Sequence, residues 1–239
     1  MKLFIYNWLL MLFAAMATFS FTACGSDGDD TDYAAILNTL NGGETTGEAI
    51  DLGLPSGIKW ASCNVGATAP EEYGGYYAWG ETEEKSSYSW STYKYCNSSD
   101  NSMTKYNTDI FYGTVDNKTT LEPGDDVAHV KWGGSWRMPT KAEQDELRNN
   151  CTWTWTTLNG VDGYRVTGPN GNSIFLPAAD CRVDTEVAGQ GYVGVYWSSS
   201  LYSGLTSMSA YHLHIFSNSY DWSYSFDRYI GHSVRPVCE

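Results

Sequence analysis

Side chains able to do chemistry are few in this 239-residue chain, and they are scattered. His212 and His214 alternate, so on a strand they share one face. Two imidazoles can begin a zinc or copper site. No carboxylate or third histidine stands at a convincing ligand spacing, so the pair reads as polar outward residues on a half-exposed sheet face, and no metal is expected. Asp125 and Asp126, just ahead of His129, are the one calcium candidate, although so acidic a loop more often stays solvated. The Trp197-Ser198-Ser199-Ser200 run has no base close in sequence, and neither a Gly-x-Ser-x-Gly elbow nor a phosphate-cradling glycine loop occurs. A non-catalytic protein without a cofactor is therefore the expectation. With Cys24 set aside, Cys63, Cys96, Cys151, Cys181 and Cys238 are an odd set, so at most two bridges can form and their pairing stays open.

The most suggestive stretch runs from Ser217 to Tyr229. Tyr220, Trp222 and Tyr224 recur at every second position and on a strand would line one face. Large rigid aromatics among Ser219, Ser223 and Ser225 suit an adaptable contact surface, which makes the three aromatics candidate ligand-binding residues. The same alternation is how a small strand-rich domain fills its interior, and both readings stand.

The elements that must position these residues are mostly strands. Thr152-Trp153-Thr154-Trp155-Thr156 alternates strictly, with both tryptophans on one face. Tyr164 to Thr167 and Ser173 to Leu176 flank a Gly-Pro-Asn-Gly-Asn loop and read as a hairpin. Further strands are expected at Val193–Trp197, Tyr211–Phe216 and Ser233–Cys238. One helix is clear: Pro139 precedes Thr140-Lys141-Ala142-Glu143, a capping box, and Leu147 and Cys151 lie four apart on one face. It should run from Thr140 to about Asn150. A strand-rich α+β domain with one main helix follows.

Acidic residues outnumber basic ones 28 to 14, for a net charge of −14. Such a surface repels phosphate backbones, so nucleic acid is not an expected partner. Lys2, an apolar stretch through Met16 and small residues near 23 have the form of a signal peptide over 1–23. Phe21-Thr22-Ala23-Cys24-Gly25 resembles the lipobox of bacterial lipoproteins, with Phe21 where leucine is usual. That resemblance implies a diacylated Cys24, which would hold the chain to a membrane. Residues 24–50 open with Ser26-Asp27-Gly28-Asp29-Asp30, read as an acidic flexible tether. The tether also resembles the acidic surface-export signal of Bacteroidetes lipoproteins. The folded domain is placed at 51–239.

Gly133-Gly134-Ser135-Trp136-Arg137-Met138-Pro139-Thr140 resembles the strand-to-helix motif of the formylglycine-generating-enzyme branch of C-type-lectin-like folds. Asp51 to Ala61, Asn64-Val65-Gly66-Ala67, Tyr76 to Glu81, Ile174 to Ala179, Tyr196 to Ser200 and Ser233-Val234-Arg235-Pro236-Val237 extend the likeness. Together they resemble the Fibrobacter succinogenes major paralogous domain of secreted Bacteroidetes proteins. The resemblance implies a C-type-lectin-like α+β domain. It also implies two rival bridges, Cys151 with Cys238, as C-type lectins join first helix to last strand, or Cys181 with Cys238, because Asp180-Cys181 stands where related domains read Gly-Tyr. The expectation is a binding module for a glycan or a surface protein, lipid-anchored on the outer membrane and facing outward. An oxidase or hydroxylase of the formylglycine-generating type is the alternative.

Overall fold

The computed structural model describes residues 46–239 apart from 205, 218 and 222–224. The expected signal peptide, Cys24 and the expected tether up to residue 45 lie outside the described residues, as do Trp222 and Tyr224. The described chain is strand-rich with few helices, an α+β arrangement of small sheets.

Four antiparallel sheets build it. The first pairs β1 (Ala49–Asp51) with β2 (Lys59–Ala61), and β2 in turn with β13 (Val237–Cys238), so the two ends of the domain meet. The second sets β3 (Thr152–Leu158), β4 (Val161–Thr167) and β5 (Ser173–Pro177) side by side. Asn159 and Gly160 turn β3 into β4, both at positive φ, as a two-residue turn matching strand twist requires. A third sheet holds β6 (Cys181–Val183) between β7 (Glu186–Ala188) and β12 (Gly231–His232). In the fourth, β9 (Ser209–Phe216) pairs with β8 (Val193–Leu201) on one side. Its other side takes β10 (Ser219–Asp221) and then β11 (Ser225–Asp227).

Helix α2 (Lys141–Asn150) starts where the capping box places it: the Thr140 hydroxyl accepts from the Glu143 N–H, and the Glu143 carboxylate accepts from the Thr140 N–H at 2.7 Å. Its buried face carries Leu147 and Gln144, whose amide donates to the Tyr196 and Trp197 carbonyls of β8. A second, six-residue helix, α1 (Val127–Trp132), was not expected from the sequence. It is too short to show a periodic apolar stripe, and Asp126 starts it by accepting from the N–H groups of Ala128 and His129. The expected last strand is also shorter: only Val237–Cys238 pairs as a strand, while Ser233 bridges to Tyr196 and Arg235 turns inward.

Two apolar clusters form the core. One is aliphatic, with Leu52, Leu147, Val166, Leu176, Leu213 and Ile215 between α2 and the β3–β5 and β8–β9 sheets. The other is aromatic, with Trp79, Tyr88, Tyr93, Tyr106, Trp132 and Trp197 beneath long loops.

Candidate functional site

Residues 61–64 and Phe175 meet around a buried cation. Arg235 is 1% exposed, and its guanidinium donates to the Ala61, Ser62 and Phe175 carbonyls and to the Asn64 side-chain oxygen at 2.8–3.0 Å. Asn64 passes its own amide to the Tyr73 carbonyl. Trp79 and Trp197 each donate an indole N–H across the core, to the Ser198 and Tyr77 carbonyls. Arg235, Asn64, Trp79 and Trp197 hold chain segments together, and all of them are buried.

A second buried guanidinium, Arg228, sits under the aromatic cluster at 0% exposure. It donates to the Tyr93 hydroxyl and to the carbonyls of Lys105, Tyr106 and Ser207, and its plane lies over Trp79 and Tyr93. Through those carbonyls it ties two loops together from below, and the loops enclose the site.

The first loop, 107–117, is closed by Asp116, whose carboxylate accepts from the backbone N–H groups of Tyr106, Asn107 and Lys118. Burial alone would raise the Asp116 pKa, but these three donors and the Lys118 charge draw it below the usual range. The Asn107 carbonyl accepts in return from Asp116 and Asn117, and its side-chain oxygen accepts from Asp109. Asp109 caps a short 3-10 turn, Ile110–Tyr112, by accepting from Phe111. Gly113 ends that turn at φ +124, where a Cβ would lie 2.3 Å from the Met103 carbonyl, so only glycine fits.

The turn points its apolar side chains outward. Ile110 is 78% exposed and Phe111 82%. Beside them a cleft of about 490 Å³ is lined by Thr108, Asp109, Ile110 and Val115 from this loop and by Gly204, Thr206 and Ser207 from the facing one. The Thr108 N–H donates to the Ser207 hydroxyl at the floor. The loop's hydrogen bonds through Asn107, Asp109 and Asp116 hold these two large apolar groups out in water.

The residues singled out from sequence fall elsewhere. Tyr220 lies on β10 opposite Ile215. Phe226, on β11, lies opposite Ala210, and positions 215 and 210 belong to opposite faces of β9. Phe226 stacks on His212 and Tyr229 meets Trp90, so this end of the Ser217–Tyr229 segment packs inward.

The histidine expectation is corrected. His212 is 1% exposed, wedged between Trp197, Phe226 and His232, because Phe226 on the neighbouring strand β11 stacks on its ring; only His214 stays half-buried. Burial pushes the His212 pKa down to about 3, with His214 adding to the effect, and pushes His232 well down too. Cys63, Cys96, Cys151, Cys181 and Cys238 are all free thiols, so neither Cys151–Cys238 nor Cys181–Cys238 is bridged. Cys151 ends α2, Cys181 pairs with β7 and β12, and Cys238 pairs with Lys59 on β2.

Asp125 and Asp126 spend their oxygens on the protein. Asp125 accepts from Lys105 and the Tyr106 hydroxyl; burial opposes its charge, but those partners hold its pKa down at about 2. Asp126 caps α1 and accepts from the Met138 N–H, while His129 turns to the Trp136 carbonyl. Among the described residues, no three His, Cys, Asp or Glu side chains gather to hold a metal ion, and no helix is long and apolar enough to cross a membrane.

Sequence reasoning passed over Asp109, Ile110, Phe111, Asp116 and Arg228. The signal was local: Asn107-Thr108-Asp109 and Asp116-Asn117, both turn formers, bracket an apolar Ile110-Phe111 pair with no periodic partner. No protein-family model, curated protein or solved structure matches this chain.

Proposed function

We propose that the chain is a non-catalytic binding module recognising a glycan or a surface protein, with the 107–117 loop and its cleft as the contact surface. The observation that carries this is the preorganised exposure of Ile110 and Phe111 beside a cleft lined by hydroxyls and one carboxylate. An aromatic ring offers a flat apolar face at low entropy cost, and the neighbouring Thr108, Asp109 and Thr206 supply directional polar groups. The thiols speak against the oxidase alternative. Burial and the adjacent Asp180 carboxylate push Cys181 up to about 12, burial pushes Cys151 up to about 11, and burial also raises Cys238. A thiol held protonated is a poor nucleophile.

A C-type-lectin-like fold of the Fibrobacter succinogenes major paralogous type belongs to the same reading. Its support is the sequence likeness, together with the hydrogen bonds that join four of the resembling stretches through Ala61, Asn64, Phe175 and Arg235. So does an outer-membrane, surface-facing location through an acylated Cys24, supported by the lipobox-like sequence. Cys24→Ala should abolish membrane partitioning and palmitate labelling together; a mutant that keeps both contradicts the anchor.

Tyr220, Trp222 and Tyr224 are kept as a second candidate contact set on the strength of their spacing in sequence. Trp222→Ala should then weaken binding by about 2 kcal/mol with little loss of thermal stability. A folding loss of roughly 3–5 kcal/mol would assign Trp222 to the core instead. The whole reading is tested by probing a printed array of neutral and anionic glycans, and a panel of purified surface proteins, with the full chain and with Phe111→Ala.

A further inference from the structure

Large apolar side chains seldom gather in water without a partner to cover them. In the 107–117 loop three do so: Ile110 and Phe111, neighbours in the chain, and Val115, which is 39% exposed and lines the same cleft as Ile110. Their size calls for a partner with apolar side chains of its own. The charges around them say what else that partner carries.

Asp109 is the one charged residue of the cleft lining, and it makes no ion pair among the described residues. The cations nearest to it in sequence are already engaged, Lys105 with Glu122 and Asp125, and Lys118 with Glu122. On the facing side, Asp227 lies opposite Ser209, two residues from the Ser207 that floors the cleft. Burial, and after it the nearby Asp100, pushes the Asp227 pKa up, so two carboxylates stand close together there. Arg228 is the only cation beneath the cleft among the described lining and its supports. It is fully buried with its donors spent on neutral oxygens, and Asp100 and Asp227 outnumber its charge.

We infer that the 107–117 surface takes a basic protein segment, in which a lysine or arginine stands beside a large apolar side chain; this rests on reading the loop as the contact surface. The apolar side chain covers Ile110, Phe111 and Val115, and the cation meets Asp109. Thr108 and Thr206 offer hydroxyl oxygens to the remaining N–H donors. A net charge of −14 draws such a segment in from a distance and speeds its encounter. An acidic glycan meets repulsion from the same charge, and a neutral sugar leaves the Asp109 carboxylate without a counter-charge.

The test is fluorescence anisotropy of three labelled probes with the full chain in a polyoxyethylene detergent, at 20 mM and 500 mM salt. The probes are a decapeptide of alternating lysine and leucine, its glutamate–leucine counterpart, and maltohexaose. The lysine–leucine peptide should bind at low salt and weaken about tenfold at high salt as the attraction is screened. Asp109→Asn keeps an oxygen for the Phe111 N–H and removes the charge; it should weaken that peptide about fivefold at low salt and flatten the salt dependence. Phe111→Ala should weaken it by a similar factor at both salts. If Asp109→Asn does not fold, Thr108→Lys, exposed on the cleft wall, is measured in its place and should weaken the peptide at least as much. A lysine–leucine peptide that binds no tighter than its glutamate counterpart, or that ignores either substitution, overturns the inference. Binding of maltohexaose alone, sensitive to Phe111→Ala and indifferent to salt, also overturns it and leaves the contact surface standing. If Phe111→Ala alters the binding of no probe, the contact surface falls with it.

Discussion

Arg235 and Arg228 are both buried, and both spend their donors on neutral oxygens, yet the structures they hold differ in kind. Arg235 fastens the β1–β2 region to β5 beside the aliphatic cluster, where regular strands and α2 already fix the backbone. Arg228 fastens loops, with the 105–107 segment on one side and Ser207 on the other. A buried charge costs several kcal/mol unless its hydrogen bonds are complete, so each arginine selects the one arrangement of carbonyls that satisfies it. Around Arg235 that selection reinforces a fold, and around Arg228 it shapes a surface. The cleft therefore depends on a residue that never reaches it.

Removing the charges should expose that difference. Arg235→Met leaves several buried oxygens without donors, and at ~1–3 kcal/mol each this should cost about 4 kcal/mol or more in urea denaturation. Arg228→Met should cost less, about 3 kcal/mol, but should also speed amide exchange at Thr108, whose N–H rests on Ser207. If both variants lose the same stability and neither alters exchange in the 107–117 loop, the two regions are not distinct.

Acid should act first on the aromatic side. His212 and His232 have folded pKa values below the unfolded 6.5, so the unfolded chain binds protons first and stability falls as pH drops from 6.5 toward 3. Asp125, whose folded pKa is about 2, adds a separate loss only below about pH 4, as its carboxylate begins to protonate in the unfolded chain. His212→Phe should flatten the melting-temperature profile between pH 6.5 and 4 and leave the lower limb in place; an unchanged profile would remove the histidines from the account. The smallest effect belongs to the aliphatic side. Thr140→Ala should cost about 1 kcal/mol through the lost helix cap, with no change in the loop.

How far the sequence could be read follows the same division. The Thr140–Glu143 capping box, the alternation at Thr152–Thr156 and the Gly168–Asn172 turn each have a local cause, and α2, β3 and the β4–β5 hairpin form there. His212 was misjudged because its burial depends on β11 pairing beside β9 and bringing Phe226 onto its ring, a tertiary event that alternation cannot show. The 107–117 loop has no period at all. Its order comes from Asp116 and Asn107 bonding to backbone nearby and from Arg228, more than a hundred residues away in sequence. Long-range hydrogen bonds to carbonyls leave no pattern in residue type, so the fold's regular half was legible and the exposed 107–117 loop was not.

The central claim is that Phe111 and its loop make the contact surface. The most direct test compares the full chain with Phe111→Ala on the same array of glycans and purified surface proteins, together with their melting temperatures. The account predicts that ligands retained by the wild type bind the variant about 2 kcal/mol more weakly, while stability stays within about 0.5 kcal/mol because the side chain is 82% exposed. Unchanged binding by Phe111→Ala to every ligand the wild type retains would contradict it.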